Sequence, residues 1–219
     1  MIKNIIFDFD GVIVDSEVLA SKAFSKYFKL LGFNVKEEDF YDYSGIKTIN
    51  VIDSLTKKYS IKDKKKFTSE IFKIISEVYV NDLKVVDGVD QFIYNSKKNH
   101  FIGSNSNKDR IIDGLKTVGL SRYFPQDKIY SFDMVQNPKP YPDIYLKVIN
   151  DNSLNINETI IIEDSVVGVK AGNVAGIRVY GLTAGKHWHS TRDINELYNF
   201  GALDVFKSYI NLEKAIKGL

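Results

Sequence analysis

The stretch Ile5-Ile6-Phe7-Asp8-Phe9-Asp10-Gly11-Val12-Ile13-Val14-Asp15-Ser16-Glu17 decides how the rest of the chain is read. A short β-branched run that ends in two aspartates and a glycine has the pattern of a buried strand followed by a turn. Four more such runs follow: Phe101-Ile102-Gly103, Ile129-Tyr130-Ser131-Phe132, Thr159-Ile160-Ile161-Ile162 and Ile177-Arg178-Val179-Tyr180, each leading into a helical pattern. This alternation predicts a parallel sheet with helices on both faces. The segment between the first two strands is different. There Ala20, Phe24, Tyr27, Phe28 and Leu31 recur at helical spacing before Gly32, and Phe67, Ile71, Ile74, Ile75 and Val78 repeat the pattern. Ordinary βα connections are short, so residues 15–83 read as an inserted helical cap domain. Residues 1–14 and 84–219 then form the α/β core. The expected fold is a Rossmann-like parallel-sheet core carrying an inserted α-helical cap.

Composition narrows the chemistry. The 219 residues are 44% hydrophobic, with 30 Lys and Arg against 28 Asp and Glu for a formal charge of +2. Such a chain buries enough apolar surface to offset its conformational entropy, which excludes a disordered class. The absence of cysteine excludes a disulfide framework, a thiolate nucleophile and Cys-ligated metal, leaving carboxylates, hydroxyls, lysines and histidines. The one dense basic run, Lys62 to Lys66, is broken by Asp63 and lacks aromatic context, so it reads as a solvated helix face rather than a nucleic-acid surface. The N-terminal apolar stretch meets Asp8 and Asp10 too early for a secretory signal, and no uncharged run approaches the ~18 residues of a membrane span. A cytoplasmic, monomeric protein is expected, with no membrane or nucleic-acid partner.

Ligands of open parallel sheets bind beyond the C-terminal ends of the strands. Asp8, Asp10 and Gly11 follow the first strand, Ser104 and Asn105 the second, Pro138-Lys139-Pro140 the third, and Glu163, Asp164 and Ser165 the fourth. The flanking prolines favour an extended backbone around Lys139. Asp10-Gly11 alone suits an ordinary turn, and Glu163-Asp164-Ser165 alone suits a helix N-terminus. Neither explains why the strand ends together collect these groups. Four acids at one edge repel one another unless a cation offsets them, and a hard divalent ion, Mg²⁺, matches oxygen ligands best. Ser104 and Lys139 suit an anion instead, as donors to phosphoryl oxygens. Metal, carboxylate and phosphate clamp together describe phosphoryl transfer through an aspartyl-phosphate.

Taken with Ser104-Asn105-Ser106, Lys139-Pro140-Tyr141-Pro142-Asp143 and Glu163-Asp164-Ser165-Val166-Val167-Gly168, the opening stretch resembles, in order and spacing, the four motifs of the haloacid dehalogenase-like hydrolases. The similarity lies closest to the branch of β-phosphoglucomutases and sugar-phosphate phosphatases. It implies that Asp8 attacks phosphorus, and that Asp10 protonates the leaving oxygen and then deprotonates water. It also implies that Asp8, the Asp10 carbonyl and Asp164 hold Mg²⁺, with Glu163 as a further or water-bridged ligand. Ser104, the Asn105 backbone and Lys139 would grip the phosphate.

Within that branch the mutases carry a cap histidine and a cap arginine; this chain has Ala20 and Thr48 at the corresponding places. Asp15-Ser16-Glu17-Val18-Leu19 and Gly45-Ile46-Lys47 instead resemble phosphatases of sugar phosphates and of sugar-acid phosphates such as 6-phosphogluconate. A phosphatase is expected, with Lys47 meeting a substrate carboxylate or hydroxyls and a cap hinged near residues 14–16 and 80–84. A β-phosphoglucomutase-type mutase is the alternative. A receiver-like or silent phosphate-binding module is the reading from a different class. Other motifs carry less. Gly168, Gly172 and Gly176 lack dinucleotide-binding spacing, and Gly181-Leu182-Thr183-Ala184-Gly185-Lys186-His187 is one residue short of a phosphate loop. His187-Trp188-His189 reads as an exposed loop near the cleft mouth, its two imidazoles facing one way if extended.

Overall fold

The computed structural model describes residues 1–43, 48–189 and 191–217, so Lys47 and its neighbours Gly45 and Ile46 lie outside the described residues. The chain separates into two compact units, one of Met1–Asp15 with Lys84–Leu219, the other of Ser16–Leu83.

The first unit is built on six parallel strands: β1 (Asn4–Phe7), β2 (Asn99–Ser104), β3 (Ile129–Ser131), β4 (Thr159–Glu163), β5 (Arg178–Leu182) and β6 (Asp204–Phe206), in spatial order β3-β2-β1-β4-β5-β6. The first five fall on the expected runs. β6, Asp204-Val205-Phe206, is not among the expected runs: it is a three-residue edge strand that, among the described residues, pairs with β5 alone, and so short a run carries no readable alternation. Every residue of β1 and β4 is buried, as strands covered on both faces must be. The order reverses at β1, and this switch point is where an open α/β sheet opens a crevice. Register then aligns the strand ends. Phe7 lies opposite Ile102 on one side and Ile162 on the other, so Asp8, Ser104 and Glu163 emerge at one edge.

Helices α4 (Val89–Asn95), α5 (Lys108–Thr117), α6 (Asp143–Asp151), α7 (Val166–Val174), α8 (Asn195–Asn199) and α9 (Tyr209–Lys217) surround this sheet. Ile6, Phe101, Ile161 and Val179 from the strands pack with Tyr145 and Val148 of α6 in one buried cluster. The chain leaves and re-enters this unit at adjacent points: Val14 bridges Val85, Asp15 N–H donates to Lys84 O at 2.9 Å, and Val86 N–H to Ile13 O at 3.0 Å. Asp15, expected at the head of the insert, is tied to the sheet-bearing unit by that bond and by the Lys186 N–H at 3.1 Å.

The second unit comprises α1 (Glu17–Leu30), α2 (Thr48–Lys58), α3 (Lys64–Asp82) and a 3₁₀ turn over Glu38–Tyr43. Its interior is aromatic. Phe28 lies 4.1 Å from Tyr59, 5.7 Å from Phe40 and 5.8 Å from Phe67, centroid to centroid. Burying each such ring contributes about 1.5–3 kcal/mol. Phe24, Tyr27 and Phe28 fill this core as their spacing predicts, whereas Leu31 lies past the helix end and is exposed. Among the described residues no helix is long and apolar enough to cross a membrane.

Candidate active site

Asp8 prolongs β1 by one ladder bond, its N–H donating to Ile162 O at 3.0 Å, and its side chain is buried. Lys139 Nζ bridges Asp8 Oδ1 and Glu163 Oε1, at 2.6 Å each, and is itself buried. Glu163, fully buried, accepts from five donors. Lys139 and the Tyr145 hydroxyl at 2.7 Å reach Oε1, while Oε2 receives the Asp164 N–H at 3.0 Å, the Ser165 N–H at 3.1 Å and the Ser165 hydroxyl at 2.9 Å. The same Ser165 Oγ accepts the Gly168 N–H at 3.1 Å and caps α7. Asp164 is buried as well, with His187 Nε2 at 2.8 Å from its Oδ2.

Carboxylate oxygens of Asp8, Glu163 and Asp164 lie within 4.8 Å of one another. Burial, and then the charges of Glu163 and Asp164, push the Asp8 carboxyl well above the usual range, with Lys139 pulling the other way. Burial also opposes the charge on Lys139, but Asp8 and Glu163 outweigh it and hold its pKa above normal. Burial and the Glu163 charge raise the Tyr145 phenol well above its ordinary value, so it stays a donor. Three buried acids thus face one lysine. That imbalance, among hard oxygen donors only, fits a divalent cation of the magnesium class. Asp8 and Asp164 suit its ligand sphere better than Glu163, whose two oxygens are already taken up by five donors.

A second group of side chains surrounds Asp10. Its Oδ1 pairs with Arg110 at 2.7 Å and its Oδ2 accepts from the Ser106 hydroxyl. Asn107 caps α5 by accepting the Arg110 N–H at 2.8 Å, which sets Arg110 in the first helical turn, on the sheet edge. Ser104 Oγ accepts the Ser106 N–H at 3.1 Å. The Asn105 amide holds the Lys139 backbone in both directions, accepting its N–H at 2.9 Å and donating to its carbonyl at 3.1 Å. The expectation of an extended backbone at Lys139 is corrected. Pro138–Tyr141 is a turn closed by the Tyr141 N–H on Pro138 O at 3.1 Å, with a cis peptide between Lys139 and Pro140. The Asn105 clasp, not proline stiffness alone, fixes where the lysine starts.

Two glycines make this packing feasible. Gly11 has φ +78°, and a Cβ there would sit 1.9 Å from Asp164 Oδ2. A Cβ on Gly168 would fall 1.6 Å from Glu163 Oε1, and no other residue leaves room for that carboxylate.

Of the residues singled out in the sequence, Asp8, Lys139, Glu163 and Asp164 come into one cluster, and Asp10, Ser104 and Asn105 line its flank. The Asp10 carboxylate points to Arg110 and Ser106. Tyr145, Arg110 and His187 were not anticipated as site residues. Tyr145 lies six residues past Lys139 in the first turn of α6 and looks like a core aromatic. Arg110 could have been found as the third residue after the Asn107 cap. His187 is the larger correction: it is 2% exposed and not in an open loop, while His189 points elsewhere, its Nδ1 2.8 Å from Thr191 Oγ1.

Residues 5–182 match the family described as haloacid dehalogenase-like hydrolase. The 6-phosphogluconate phosphatase of Escherichia coli K12 is 26% identical over 85% of this chain and 85% of its own length. A Thermotoga maritima phosphorylated carbohydrates phosphatase is 28% identical over 93% of each. Among solved structures, a Thermotoga maritima protein provisionally described as a beta-phosphoglucomutase superposes with a TM-score of 0.84 at 26% identity, covering 100% of both chains.

Proposed function

The chain belongs to the haloacid dehalogenase-like hydrolase family, and from that premise we propose that it is a magnesium-dependent phosphatase of a small phosphorylated metabolite, a sugar phosphate or sugar-acid phosphate. The observation that carries this reading is Asp8: a buried carboxylate at a strand end, 2.6 Å from a buried lysine and crowded by two further acids. The two relatives named as phosphatases of 6-phosphogluconate and of phosphorylated carbohydrates support the substrate class.

In this reading Asp8 Oδ attacks phosphorus and the ester P–O bond breaks, leaving phosphate on Asp8. Asp10 gives its proton to the departing alkoxide, then takes one from the water that attacks the aspartyl-phosphate. The bond from phosphorus to Asp8 breaks, and inorganic phosphate leaves. Arg110 and Ser106 orient the Asp10 carboxylate between these two tasks. Lys139, Ser104 and the Asn105 backbone grip the phosphoryl oxygens, and Glu163 with Tyr145 holds Lys139 in place. Asp8, Asp164 and the Asp10 carbonyl would hold Mg²⁺, which would supply the positive charge that favours an ionised Asp8 and offsets that of the phosphate. The Ser16–Leu83 unit serves as the cap that selects the ester and excludes bulk water, with Lys47 among its selecting residues.

The test is phosphate release from a panel of sugar phosphates, sugar-acid phosphates and nucleotides, with and without Mg²⁺, using Asp8→Asn as the blank. Release is expected from the sugar classes, only with the metal, and not in the blank. Interconversion of hexose phosphate isomers without phosphate release would replace this reading with a mutase, and stable phosphorylation without turnover would replace it with a signalling module.

A further inference from the structure

The loop after β5 runs from Thr183 to His189 and has no part in the chemistry above, yet it is built with care. The Thr183 N–H donates to Phe206 O at 2.8 Å, and the Trp188 N–H to Gly185 O at 3.0 Å. The Lys186 N–H donates to Asp15 Oδ1 at 3.1 Å, and the Arg192 guanidinium stacks 3.8 Å over the Trp188 ring. These ties drive His187 inward. Its imidazole occupies a slot left by two glycines: a Cβ on Gly11 would stand 2.9 Å from its Cε1, and one on Gly185 would stand 2.8 Å from both Cε1 and Nδ1. At the end of the slot Nε2 lies 2.8 Å from Asp164 Oδ2. A carboxylate only accepts, so Nε2 carries the proton in this contact.

We propose that His187 is a positioning residue for the metal site: its Nε2–H fixes the rotation of the Asp164 carboxylate, and the Gly11–Gly185 slot together with the Asp15-anchored loop fixes His187. This rests on the magnesium reading above. The Nε2–Oδ2 bond sets the Asp164 carboxylate in one rotation before a cation arrives. Outer-shell hydrogen bonds of this kind are typically worth 10–100-fold in metal affinity. The loop thus links the exit point of the core unit, at Asp15, to the orientation of a metal ligand.

The experiment is a Mg²⁺ titration without substrate, by calorimetry and by the fluorescence of Trp188. This is the only tryptophan in the chain, with its ring centroid 5.9 Å from that of His187. His187→Leu keeps an apolar filling of the slot and removes the donor; its Mg²⁺ dissociation constant should rise about 10–100-fold. His187→Gln, whose amide reaches about as far as Nε2, should stay within a few-fold of wild type. His187→Asn, too short to reach, should fall with the leucine variant. With the ester as substrate, the leucine variant should recover kcat at high Mg²⁺ with KM for the ester unchanged. Thermal melts establish that each variant is folded; if leucine unfolds the protein, the contrast between glutamine and asparagine decides. Equal Mg²⁺ affinity in wild type and in the folded donor-less variants overturns the role of His187 and leaves the phosphatase reading intact. A wild type that binds no Mg²⁺ overturns both.

Discussion

Glu163→Gln is the most informative single change, because it preserves shape and removes only charge and one acceptor. All five groups around the carboxylate act as donors to it: Lys139 and Tyr145 at Oε1, and the Asp164 N–H, Ser165 N–H and Ser165 hydroxyl at Oε2. An amide must turn its NH₂ toward one of these two sets. Facing Oε2 it opposes two backbone N–H groups that cannot move; facing Oε1 it opposes the Lys139 ammonium. Tyr145 and Ser165 can rotate their hydroxyls away, but the other donors cannot. Breaking a buried ion pair from one side costs about 3–5 kcal/mol, and two orphaned donors at about 1–3 kcal/mol each give about 2–6 kcal/mol, which brackets it. At this chain size 1 kcal/mol moves the melting temperature by about 2–4 °C, so the core transition should fall by ~6–20 °C. Near-UV circular dichroism melts at pH 7 measure it. A fall of less than ~2 °C would refute the count of donors as an energetic statement. Mg²⁺ affinity, measured on the same variant, separates two roles. It should stay within a few-fold of wild type if Glu163 holds Lys139, and a loss of about 10–100-fold would make Glu163 a direct contributor to metal binding instead.

Lys139→Met keeps the length of the side chain and removes its charge; kcat for phosphate release should drop by about 10²–10³-fold, and near wild-type turnover would remove Lys139 from the phosphate clamp. Gly168→Ala drives a Cβ to within 1.6 Å of a carboxylate that five donors hold in place, so it should lose about 1–3 kcal/mol in denaturant titrations, and an unchanged midpoint would show that the carboxylate can give way. His100 gives the pH dependence. Burial beside Phe7, 5.5 Å away edge-on, pushes its pKa down from 6.5 to about 4, so the folded protein binds fewer protons than the unfolded chain between those values. Stability from this group is complete above pH 6.5 and is lost as pH falls toward 4, by about 2–3 kcal/mol; His100→Gln should flatten that loss, and an unchanged acid limb would show the shift to be immaterial.

The legible and illegible parts of the fold divide by a physical rule. β1 and β4 announce themselves because a strand buried on both faces needs an unbroken apolar run, and Ile5-Ile6-Phe7 and Thr159-Ile160-Ile161-Ile162 supply one. β6 does not, because three residues on a sheet edge, one of them Asp204, have no such requirement. The helical insert is legible for the same reason as β1: Phe24, Tyr27 and Phe28 must return to one side of α1 to be covered.

In the site, acids at strand ends were conspicuous because a core has no other use for them. Their partners were not conspicuous, because Tyr145 in the sequence is one more aromatic on an apolar helix face and His187 one more residue in a loop. Charge alone also over-counts ligands. Four acids reach one sheet edge, so the resemblance alone leaves Glu163 as a further or water-bridged ligand beside Asp8, Asp164 and the Asp10 carbonyl. Side-chain geometry divides them by what each carboxylate already accepts. Glu163 is saturated by five donors, and the Asp10 carboxylate is engaged by Arg110 and Ser106. Asp8 Oδ1 accepts from Lys139, and Asp164 Oδ2 meets His187 Nε2. A carboxylate that five donors already saturate serves better as a fixed anchor for them than as a ligand to a cation. In the proposed mechanism Asp8 and Asp164 would therefore hold the metal, Glu163 would anchor the lysine, and Asp10 would be kept for the proton.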